Sequence, residues 1–131
     1  MSLWEAYRQT IFICHQDVAA ELNFAIISAQ NPWGKLTNPL LNQCLDKQFE
    51  HVLQQRRLLC RKVTGAAPDF SVQEKSWIVI CDKAQAWQLA EQCQQLAMYW
   101  VEQGQLYLVP VLAQQQECAM GSFVARRLLM P

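Results

Sequence analysis

The chain has 131 residues, with eleven Lys and Arg against eleven Asp and Glu, so its formal net charge is zero. With 52% hydrophobic and 17% charged residues and five tryptophans, it is neither a disordered segment nor a basic chain that recruits nucleic acid through a global field. One domain spanning 1–131 is the expectation at this length, and no apolar run is long enough to cross a bilayer.

A first helix is expected over 2–14, capped by Ser2, with Leu3, Trp4, Tyr7 and Ile11 recurring at helical spacing. The nearly continuous apolar run 22–30 reads as a strand covered on both faces. Asn31-Pro32-Trp33-Gly34 breaks it. Thr37 or Asn38 then caps a second helix that holds Pro39 in its first turn and runs to about Arg56. Leu41, Leu45, Phe49 and Val52, with Leu40, Cys44 and Leu53 beside them, form its expected buried stripe, and Asp46 and Lys47 fall mostly opposite. Residues 57–63 alternate in polarity and suit an edge strand, while 64–74, with Gly65, Pro68 and Asp69, reads as the longest internal connection. The run 76–81 is a second central strand, 84–95 a third helix, and 97–102 with 106–111 a hairpin around Gly104. No single pattern decides 113–131, although Phe123, Arg126, Arg127 and Leu128 hint at a short amphipathic helix.

After the first helix the order is strand, helix, strand, strand, helix, strand, plus one added strand. That order is the α+β, ferredoxin-like split βαβ core, here about 22–111, with an extra N-terminal helix over 2–14 and a C-terminal extension over 113–131. Right-handed crossovers make the first two strands parallel, so the first strand's end, the second helix's start, the third strand's start and the third helix's end share one rim. Gln30, Asn31, Gly34, Asn38, Asn42, Asp69, Glu74, Ser76 and Gln95 are expected to converge there.

Asn31-Pro32-x-Gly34, Asn42 eight residues on, Gly65-x-x-Pro68-Asp69, Glu74-x-Ser76-aromatic and Gln95-x-Ala97-x-aromatic-Trp100, in that order, resemble the bacterial family called domain of unknown function 3293. The resemblance covers about 22–111 and departs at Gln94, where that family usually has a small residue. The family has no assigned activity, so the resemblance nominates residues only. They are the same polar groups that the topology brings together.

An amide-rich rim suits a small polar ligand or a polar segment of a partner, with Gln30, Asn31, Gly34, Asn42, Asp69 and Gln95 as the contact residues. In an enzyme reading Glu74 is the acid-base group and Ser76, two residues on and so on the same face of the strand, orients the substrate. The plainer reading makes Asn31 to Gly34 a turn, Asp69 a turn residue, and Glu74 a carboxylate bonded to a neighbouring loop. No metal or cofactor is expected, because the six cysteines stand at least twelve residues apart and the loop with Lys35 lacks the glycines and ending of a phosphate-binding loop. His15 and His51 fall too far from Ser76 for a nucleophile-base pair, and Arg56, Arg57, Arg61 and Lys62 form a basic patch without an RNA-binding signature. The interaction rival makes the added hairpin and the segment 123–129 a homodimer surface. Six free thiols, and a start without the basic and apolar blocks of a signal peptide, place the expectation in the cytoplasm, away from membranes.

Overall fold

The Ser2 side chain accepts a hydrogen bond from the Glu5 amide at 3.1 Å, and the computed structural model, which describes residues 1–131, opens with helix α1 (Leu3–Arg8). The helix is shorter than expected. Ile11–Cys14 is strand β1: β-branched Ile11 and Ile13 alternate with buried Phe12 and Cys14, and the period of two prevails once neighbouring strands are there to pair. Strand β2 (Phe24–Ile27) is buried throughout and a 3-10 turn follows at Pro32–Gly34.

Helix α2 (Pro39–Gln55) is capped by Asn38, whose side chain accepts from the Leu41 amide at 2.8 Å, with Pro39 at the first helical position. Its buried residues are Asn42, Asp46, Phe49 and Leu53, so the inward face is rotated by about one residue from the expected row. Leu40, Leu41 and Cys44 are therefore exposed. The reason is polar: Asn42 and Asp46 find donors on the sheet and on the loop before the helix, and those bonds hold the aliphatic row outward.

Strands β3 (Cys60–Ala66) and β4 (Gln73–Val79) pair over seven residues, so the expected long connection shrinks to a turn at 67–72. Helix α3 (Lys83–Gln92) is capped by Asp82, and β5 (Ala97–Glu102) and β6 (Gln105–Pro110) form the expected hairpin, with Gln103 and Gly104 both at positive φ. The tail resolves into β7 (Cys118–Ser122), the one-turn helix α4 (Phe123–Arg126) and β8 (Arg127–Leu129).

All eight strands join one sheet in the order β7-β6-β5-β2-β4-β3-β1-β8, antiparallel except for the β1–β8 pair. Strand β3 is thus not an edge, because β1 adds to its outer side. The sheet must curl. Its opposite edges, β7 and β8, are joined by the four residues of α4, and the rings of Phe12 on β1 and Tyr99 on β5 lie 4.9 Å apart. In a flat sheet those strands would stand roughly 19 Å apart.

The outer face carries α2 and α3 over a core of Ala25, Ile27, Trp77, Val79, Met98 and Trp100. The inner face encloses Phe12, Phe24, Ile26, Ile78, Val101 and Phe123. The architecture is mixed α+β, and no helix is long and apolar enough to cross a membrane.

Candidate functional site

Five polar side chains are buried, Ser28, Asn42, Asp46, Ser76 and Gln95, and they gather toward the end of the sheet where β2 finishes and β4 begins. Burying them requires partners. Asn31, at the rim, partners Asn42 and carries the network on to Glu74 and Thr37. Its side-chain amide donates to Glu74 Oε1 at 2.8 Å, while its Oδ1 accepts from the Thr37 amide and from Asn42 Nδ2, each at 2.9 Å. Asn42 closes the loop by accepting from the Asn31 backbone at 2.9 Å and donating to the Thr37 carbonyl at 3.3 Å. Three of the four bonding positions on each amide are thereby used.

Strand alternation then sorts the remaining groups onto two faces. Glu74 and Ser76 point inward with Ile78, and extending the β2–β4 register sets Ser28 beside Ser76. The Ser28 hydroxyl donates to the Lys75 carbonyl at 3.2 Å and accepts from the Gln30 amide at 3.0 Å. Burial pushes the Glu74 carboxyl above its ordinary range, and hydrogen bonds from Asn31 and Ser28 pull it only part of the way back. Tyr7 of α1 lies close by. Burial and then the Glu74 charge push its phenol up to about 12. Tyr99 donates to the Tyr7 carbonyl at 2.7 Å, and burial raises its phenol as well.

On the outer face Asp46 receives Lys75 Nζ at 2.5 Å and the Trp77 indole N–H at 2.8 Å, and the Lys75 ammonium lies 4.7 Å from the centre of the Trp77 ring. Asp46 and Lys75 were not among the expected site residues. The available signals were the four-residue spacing from Asn42 to Asp46, which puts both on one helix face, and the need of a buried tryptophan N–H for an acceptor. Nothing in the sequence pointed to Tyr7.

Of the expected residues, Asn31, Asn42 and Glu74 are joined directly. Gln95 is tied in by donating to the Gln30 carbonyl at 3.0 Å, so Gln30 contributes its backbone. Ser76 is buried beside them. Gly34 takes φ +69 against α1, where a Cβ would stand 2.6 Å from Leu3 Cδ2. Asp69 stands apart: its Oδ1 accepts from the amide and hydroxyl of Ser71 at the tip of the β3–β4 turn. No group of three or more His, Cys, Asp or Glu is arranged to hold a metal ion.

The network's most visible product is the loop above it. Asn31 (φ 50, ψ 60) and Trp33 (φ 60, ψ 20) both occupy the left-handed region, which costs a side chain on the order of 1 kcal/mol each. The Asn31 bonds and the Trp33 amide, donating to the Gln94 carbonyl at 2.8 Å, hold that shape. Trp33 is left 50% exposed, with Leu36 at 94% and Leu40 at 70% following it along the chain. Two pockets, of about 360 and 200 Å³, are lined by other parts of the molecule.

No curated protein and no solved structure matches the chain. A family model does, over residues 27–98. That segment runs from the last residue of β2 into β5 and contains Asn31, Gly34, Asn42, Glu74, Ser76 and Gln95, while α1, β1 and the closing β7-α4-β8 segment lie outside it. With more than half of its length covered and the bonded polar network wholly inside the match, the chain belongs to the family described as Protein of unknown function (DUF3293).

Proposed function

We propose that the chain is a binding module that docks an apolar-faced segment of a partner protein on its upper rim, with the Asn31–Asn42–Glu74 network as the brace beneath. The observation that carries this reading is Trp33, a large aromatic held half-exposed in a left-handed backbone by its own amide bond to the Gln94 carbonyl and by the side-chain bonds of the neighbouring Asn31. Strain of this kind persists where surrounding structure enforces it, and exposed tryptophans are frequent anchors of interfaces. Leu36 and Leu40 extend the apolar surface.

The rival enzyme reading keeps Glu74 as an acid-base group, and its raised pKa favours that role. Against it, the carboxylate and the amides around it already bond to one another, leaving a small polar ligand few free groups to meet. We read the middle strands, β5-β2-β4-β3 with α2 and α3 on one face, as a ferredoxin-like split βαβ core, which their antiparallel pairing supports. Six unpaired cysteines support a cytoplasmic location, and the family resemblance supports a bacterial one.

Selection from a displayed library of random peptides tests the rim. Peptides enriched on the wild-type protein are expected to carry apolar residues, to lose about tenfold or more in affinity for Trp33→Asn, and to bind Glu74→Gln as they bind wild type. Asn is chosen because it accepts a left-handed φ at small cost. Binding that survives Trp33→Asn overturns the reading, and binding that requires the Glu74 carboxylate moves the site to the polar network. Sedimentation of both proteins identifies the case in which the partner is a second copy, since the variant would then lose the dimer.

A further inference from the structure

The curl of the sheet leaves a seam between its two edges, and the seam is not empty of chemistry. Helix α1 lies across it, and between α1, β7 and α4 opens a pocket of about 360 Å³ lined by Glu5, Arg8, Gln9, Ala119, Met120 and Arg126. We infer that this pocket is a binding site for a small oxyanion, a phosphate or carboxylate group, held between the Arg8 and Arg126 guanidinium groups.

Three observations converge on this reading. Two cations line one concavity, yet neither is paired with a carboxylate: the ion pairs of the molecule are Lys47–Glu50, Lys75–Asp46, Lys83–Glu117 and Arg127–Asp17, and Glu5 enters none of them. With Glu5 as the one carboxylate in the lining, two guanidinium charges leave the pocket with a positive excess, which a bound anion neutralises. Arg126 is also fixed in place, because its Nη1 donates to the Arg8 carbonyl at 2.7 Å and to the Thr10 carbonyl at 3.3 Å. A guanidinium has five N–H donors in a planar fork, so anchoring through one nitrogen leaves others for a ligand and removes part of the entropy cost of ordering the side chain. Finally, the lining is mostly polar, with the Gln9 amide as a further donor. Forked donors of this geometry match phosphate and carboxylate oxygens.

The test is titration of the wild-type chain with inorganic phosphate and, separately, with succinate, at ionic strength held constant with sodium chloride, following the melting temperature and the heat of binding. At least one of the two is expected to raise the melting temperature saturably while chloride does not. Phosphate alone points to a phosphorylated ligand, succinate alone to a carboxylate. Arg8→Gln removes one exposed side chain and leaves its backbone carbonyl for Arg126, so the fold should stand while affinity falls by about tenfold. Lys62→Gln, on an exposed lysine of β3, should bind as wild type does. Failure of both anions to saturate, an equal effect of chloride, or an Arg8→Gln protein that binds as well as wild type overturns the inference. Because Trp33 and Glu74 take no part in this pocket, the outcome is independent of the rim reading.

Discussion

Glu74 donates no charge to an ion pair; its bonding partners are neutral, and burial keeps its carboxyl above the ordinary range. A carboxyl whose folded pKa exceeds its unfolded value binds more protons in the native state, so it makes stability fall as pH rises from about 4.5 through the raised value. Above that window the penalty is constant; below 4.5 both states are protonated and it vanishes. Replacing Glu74 with Gln keeps an oxygen for the Asn31 amide and removes the desolvated charge. Thermal unfolding of Glu74→Gln between pH 4 and pH 8 should show a melting temperature equal to or above wild type at pH 7, with the gain fading toward pH 4. A loss of several degrees at pH 7 would mean that the network needs the anion, and would favour a chemical role for it. At this scale the sequence disclosed the meeting of Asn31, Asn42 and Glu74, because crossover handedness fixes which chain ends share a rim. It did not disclose Asp46, since a lone Asp within an amphipathic helix is ordinarily solvated and only the Trp77 N–H and Lys75 on a distant strand make its burial favourable.

Among the elements, the connection from β2 to α2 is where local preference and tertiary demand conflict most. Proline and glycine at positions 32 and 34 announced a turn, and the structure adds that Asn31 and Trp33 beside them take left-handed conformations. A strain of that kind can be separated from the bonds that hold it. Asn31→Ala and Asn31→Gly both lose the contacts to Glu74, Thr37 and Asn42, and both should be destabilised by about 2–3 kcal/mol or more. The alanine variant alone also keeps a Cβ in the left-handed region, so it should be the less stable by about 1 kcal/mol in urea denaturation. Equal stabilities would mean that the loop relaxes once its bonds are lost, and that no strain is stored for displaying Trp33. The same contest between local and distant partners explains which elements sequence reasoning placed well. Helix α2, the β5–β6 hairpin and the buried β2 carry their own caps, turn residues and apolar runs. Strand β1 does not: Ile11 continues the helical spacing of Leu3, Trp4 and Tyr7, and only pairing with β3 and β8 makes it a strand.

For the whole molecule, the decisive feature is the closure of the curled sheet, and one residue occupies its centre. Phe123, on the single turn that joins the two edges, packs against Phe12 of β1 at 5.8 Å and Phe24 of β2 at 5.2 Å between ring centres. Its neighbour Val124 on the same turn is 57% exposed. Phe123→Ala should therefore cost about 3–4 kcal/mol, while Val124→Ala should stay within about 0.5 kcal/mol of wild type. The location of the damage matters more than its size. Strand β8 is held by its parallel pairing with β1, by the Met130 amide donating to the Cys14 carbonyl at 2.8 Å, and by the Arg127–Asp17 ion pair. Few of those contacts lie in the core, so the chain beyond residue 126 depends on Phe123 to bring it across the seam. Amide exchange in Phe123→Ala should accelerate first in β8 and in the part of β1 facing it, while β2 and β4, paired on both sides and covered by α2 and α3, keep their protection until global unfolding. Uniform acceleration across all eight strands would instead show that the seam and the central strands open together as one cooperative unit.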